Sequence, residues 1–178
     1  MKFIKFIPFL FMLGCSSCND KPKTIVKEPD PVEVVEESSQ ETVVEGKKVK
    51  LFLSSSWENL TPTAQSIDAA AIHYQSTALL TISYQEIESY NTNSSLYDEY
   101  VLQSMRSLRN KEVSIDDYST TTVDGVKFLL ADTTFKELHV WHLFGVKDKV
   151  GYTISCGGKI NTLVADICSQ AIDQVKFK

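Results

Sequence analysis

The chain is short of the features that mark common enzyme sites. No G-x-S-x-G elbow occurs, and Gly157-Gly158-Lys159 lacks the spacing of a phosphate-binding loop. Histidine is scarce, with three in 178 residues. His139 and His142 lie three apart on an expected strand, so they point to opposite faces and share no metal. The carboxylate pairs Asp116-Asp117 and Glu86/Glu88 read as solvated faces. Basic charge is not in excess: the formal net charge is −5, which argues against binding a phosphate backbone. The apolar run from Phe6 to Leu13 is too short to cross a bilayer as a helix, which needs about 20 residues. No internal repeat is visible. These absences turn the reading from chemistry toward binding.

What is present begins at the N-terminus. Lys2 and Lys5 precede the apolar run, and the run stops at Gly14-Cys15, which is the layout of a secretory signal. Met12-Leu13-Gly14-Cys15 resembles a bacterial lipobox. The resemblance implies cleavage before Cys15 and a lipid on its thiol; the alternative is an ordinary signal with a coincidental cysteine. Ser16, rather than aspartate, follows Cys15, which favours the outer membrane if the cell has two. Residues 1–14 are then the signal, and 15–46 a lipidated start followed by a stalk. Residues 19–45 hold eight acids against three lysines and no aromatic residue, with prolines at 22, 29 and 31. Such a composition buries too little apolar surface to offset its ordering entropy, so it reads as a disordered acidic stalk. The alternative is that Val43-Val44 opens the first strand.

From residue 47 to 178 the pattern is that of one domain. Val49, Leu51 and Leu53 alternate with Lys50 and Phe52, and 58–71 reads as a loop with a short helical turn around its alanines. Ile72–Gln75 and Ala78–Ile87 read as strands, the second with Leu80, Ile82 and Tyr84 opposite Thr81, Ser83 and Gln85. Ser95 and Asp98 approximate a capping box before a helix over 95–109. Four strands follow: 114–123, 126–134, 137–146 and 150–156. Asp124-Gly125 makes the first hairpin, and Gly157-Gly158 ends the last strand. A closing helix from Asn161 or Thr162 carries Val164, Ile167, Cys168, Ala171, Ile172 and Val175. Short turns demand an antiparallel sheet of six to seven strands, and the two one-sided helices must bury their stripes on it.

Cys156 lies on the apolar face of its strand and Cys168 on the apolar stripe of the last helix. They form either a disulfide, in an oxidising compartment, or two buried thiols. His139 and Trp141 share a strand face. Together with Trp57 they are the candidate contacts for a ligand or partner, the alternative for the His/Trp pair being packing under a helix.

Trp57 soon after the first strand, the alternating strand Ala78–Ile87 and the helix Ser95–Arg109 resemble the PsbP-like fold. So do Val123-Asp124-Gly125, the strand Gly151–Cys156 and the C-terminal helix. The resemblance spans residues 47–178 and extends to DcrB-related bacterial lipoproteins. It implies an α+β, α/β/α sandwich and action by binding or assembly; no cofactor and no site residue comes with it. The expected function is a lipid-anchored envelope protein that binds a protein partner, with no nucleic-acid partner. The rival readings are a carrier with a small ligand in the sheet–helix crevice, where Trp57, Tyr74 and Trp141 contribute, and an envelope hydrolase.

Overall fold

Alternation of apolar and polar residues gives ten strands and two helices among the described residues of the computed structural model, 41–87, 95–111, 113–160 and 162–178. All of these fall in one unit, Ser38–Lys178. The expected signal, the expected lipid on Cys15 and the expected stalk up to residue 40 lie outside them. In chain order the elements are β1 (Thr42–Glu45), β2 (Val49–Leu53), β3 (Trp57–Leu60), β4 (Ile67–His73), β5 (Leu79–Glu86) and α1 (Leu96–Arg109). Then come β6 (Ser114–Val123), β7 (Val126–Phe135), β8 (Leu138–Lys147), β9 (Val150–Lys159), α2 (Thr162–Asp173) and β10 (Val175–Phe177).

Seven strands form one antiparallel sheet in the order β3-β4-β5-β9-β8-β7-β6. The other three form a small antiparallel sheet, β1-β2-β10. The large sheet is the middle layer. On one face, Leu80, Ile82, Ile154 and Phe128 pack against α2 and the inner residues of the small sheet, including Leu51 and Val175. On the other, Tyr100 and Leu108 of α1 pack on Ala131 and Phe144. This is the expected α+β sandwich.

Local chemistry explains several joints. Ser95 caps α1, its Oγ accepting the Asp98 N–H at 3.1 Å while also pairing with the Asp98 carboxylate. Asp124 and Gly125 both take positive φ, 47° and 77°, as a two-residue hairpin with the right-handed strand twist requires. The Asp124 carboxylate also accepts the Phe177 N–H at 2.9 Å, which ties that hairpin to β10 and holds the carboxyl below the usual range.

Four expectations are corrected. Residues 42–45, placed in the stalk by a boundary at 46, form β1, as the Val43-Val44 alternative had it. The stretch 58–71 is extended: it holds most of β3 and β4. Ala69 and Ala71 face the core, where their small side chains let β2 pack over β4. Tertiary packing here overrides the helix preference of alanine. Gly157-Gly158 does not end the strand, since β9 runs on to Lys159. A Cβ on Gly157 would lie 2.3 Å from the His139 carbonyl oxygen, so glycine serves close strand packing there instead of a turn. Finally, a tenth strand follows α2 and completes the small sheet.

Candidate functional site

The polar faces of three neighbouring strands make the floor of a crevice on the α1 side. Cross-strand pairing places Ser83 beside Thr153, and Ser155 beside His142. The roof is a polar stripe on α1, Tyr100, Gln103, Ser104 and Ser107, at helical spacing. Between floor and roof lies a cavity of about 390 Å³. The Tyr100 hydroxyl and Thr153 Oγ1 are 2.7 Å apart, which closes one end, and burial pushes the Tyr100 phenol up. Lys111 stands among the lining side chains, and no carboxylate does among the described residues.

His142 is a half-buried titratable group of this crevice. Its Nδ1 lies 2.8 Å from Ser155 Oγ, and its ring stacks parallel to Phe144 with centroids 6.2 Å apart. Burial, with a smaller contribution from the Lys111 cation, lowers its pKa from 6.5 to about 4. The imidazole is therefore neutral near pH 7. Between 6.5 and about 4 the unfolded chain binds a proton that the folded chain does not. Stability is thus full above the unfolded value and falls as pH drops through that window. His73, also lowered by burial, acts in the same direction. The expected loss at His142 is about 2 kcal/mol between ~pH 7.5 and ~pH 5. Urea midpoints at the two pH values check it: His142→Gln should remove most of the difference, and an unchanged difference contradicts the assignment.

The residues singled out from the sequence lie elsewhere. Trp57 is 5% exposed and sets its ring edge-on to His73 at 5.3 Å. It packs in the core and also borders a separate cavity beside Phe52 and Gln174. His139 and Trp141 lie on the α2 face, both bound to one carboxylate. His139 Nε2 is 2.5 Å from Asp132 Oδ1, and Trp141 Nε1 donates to Asp132 Oδ2 at 3.2 Å. The carboxylate fixes the two rings edge to face, and Trp141 packs on the core beside the last helix. Tyr74 is exposed. None of Trp57, Tyr74 or Trp141 lines the crevice, which lies on the opposite face from the one Trp141 occupies. His139 and His142 do point to opposite faces. Cys156 and Cys168 are joined as a disulfide, with S–S 2.13 Å and Cα atoms 5.6 Å apart, and both are buried.

A second feature on the α1 side escaped the sequence reading. Ile72, Leu79, Gly157 and Val140 are successive cross-strand neighbours on that face, and the pair Leu138 and Phe135 adjoins them diagonally, two residues along β8, to make one strip. Leu79, Leu138 and Phe135 are 43%, 42% and 39% exposed. The apolar contacts of α1 end with Leu108 over Ala131 and Phe144, which leaves this strip open.

No protein-family model matches the chain, and no curated protein does. Among solved structures, it is similar to the solution structure of cyanobacterial PsbP (CyanoP) from Synechocystis. The TM-score is 0.57 at 9% identity, over 86% of this chain and 99% of that one. It is also similar to a crystal structure from Bacteroides thetaiotaomicron, with TM-score 0.53 at 11% identity over 79% of this chain. There the chain spans 48% of the other protein's length. These likenesses show the PsbP-like fold.

Proposed function

We propose that this chain is a lipid-anchored cell-envelope protein whose PsbP-like domain binds a protein partner and performs no chemistry of its own. The apolar strip from Ile72 to Phe135 carries the reading. Three large apolar side chains on one sheet face, each about two-fifths exposed, form a surface of the kind that protein contacts cover. The lipobox-like Leu13-Gly14-Cys15 supports the anchor, and Ser16 supports the outer membrane. Leu79→Asp with Leu138→Asp should abolish copurification of the partner from detergent-solubilised envelopes while leaving the fold intact by circular dichroism; retention of the same partner contradicts the contact surface. Cys15→Ala should move the protein from the membrane to the soluble fraction, and unchanged fractionation contradicts the anchor. A second reading, the carrier, is favoured by one observation, the crevice under α1.

A further inference from the structure

We propose that the crevice between α1 and strands β5, β8 and β9 binds a small polyhydroxylated monoanion of the hexuronate class. This goes beyond the partner surface and uses different residues. A helix normally seals against a sheet through apolar side chains, yet here the facing groups on both sides are hydroxyls and amides. Gln103, Ser104 and Ser107 line one side of the open space and Ser83, Thr153 and Ser155 the other, with the Tyr100–Thr153 hydrogen bond closing one end. An apolar ligand would strip water from those not paired with one another, such as Gln103 and Ser83, and leave them unsatisfied, at about 1–3 kcal/mol each. A polyol satisfies them, since each hydroxyl both donates and accepts. His142, whose Nδ1 already pairs with Ser155 Oγ, adds only its Nε2 while neutral. Phe144 and Leu108 supply apolar wall for the C–H face of a sugar ring.

Charge narrows the class further. Lys111 offers one ammonium and no lining carboxylate opposes an anion, so one negative group is matched. A polyphosphate would meet too few cations. The cavity of about 390 Å³ is at the small end of the usual range for ligand sites, which suits a monosaccharide.

The test is an NMR titration of the purified full-length chain with glucuronate, glucose and acetate. Glucuronate should shift the amides of Ser104, Thr153 and Ser155 saturably. Its affinity should exceed that of glucose about fivefold, the effect of one exposed ion pair, and acetate should give no saturable shift. Ser107→Leu, which fills the roof from the helix, should weaken glucuronate more than about 10-fold. Lys111→Ala should bring it to the level of glucose. Several results overturn the proposal: no saturable shift with glucuronate, shifts confined to residues outside the crevice, equal affinity for glucose, saturable acetate binding, or full affinity in either variant.

Discussion

Replacing Phe128 by alanine is expected to cost about 4 kcal/mol and lower the melting temperature by roughly 12 °C. Phe128 is fully buried on the α2 side of the large sheet. Its ring stacks on Phe177 at 5.8 Å, and Phe177 sits edge-on to Tyr152 at 4.7 Å. Gly145 lies against the same ring, since a Cβ there would come within 2.6 Å of it. The substitution thus opens a cavity where β7, β8 and β10 meet, and the rigid backbone of paired strands cannot collapse into it. The small sheet is held at this point, so its closing strand should loosen first. Equilibrium urea unfolding, with hydrogen exchange at Val175–Phe177, checks both statements. A loss below about 1 kcal/mol contradicts this packing account.

The second large effect is at the disulfide. The bond joins β9 to α2 across a sequence separation of 12 residues, and both sulfurs are shut away from solvent. Closing a loop of that length restricts the unfolded chain and stabilises the fold by about 3 kcal/mol. Cys156→Ala with Cys168→Ala should therefore lose about that much, with a small further cost for the lost side-chain volume. Reductant separates the two contributions. It should lower the urea midpoint of the natural chain toward that of the double variant and leave the variant unmoved. A natural chain indifferent to reductant under unfolding conditions contradicts the assignment.

Much of the fold was legible because its signals are local. Asp124-Gly125 fixes a hairpin whatever surrounds it, and Ser95 with Asp98 starts α1 by bonds within four residues. The cysteine pair was legible as far as its geometry: strand alternation and the helical stripe place both sulfurs in one layer. Other elements depend on distant partners. The run Ala69-Ala70-Ala71 has no extended preference and becomes β4 because β3 and β5 hydrogen-bond to it. Val175–Phe177 is too short to announce itself and becomes a strand by pairing with β2.

The sites were hidden for a related reason. Thr81, Ser83 and Gln85, with Thr153 and Ser155, are the polar halves of alternating strands, and a polar half ordinarily faces water. Period two separates the faces without saying what lies over them. Here α1 overhangs that face with its own polar stripe, and an open crevice results. Trp57 is ambiguous for another reason, because a tryptophan near a strand end fits a contact as well as it fits a core. The open strip is assembled from strand ends, Leu79, Leu138 and Phe135, which only the sheet register brings to one region of one face.

The central claim is that this row is where the domain meets its partner. The most direct measurement places a photocrosslinking residue at Leu138 in the intact chain, in the cells that make it, and compares it with one at Tyr118. Tyr118 is also exposed, at 68%, but lies on the edge strand β6 away from the row. The account predicts a discrete adduct from position 138 that disappears with Leu79→Asp, and none from 118. Equal adducts from both positions, or no adduct from 138, would contradict it.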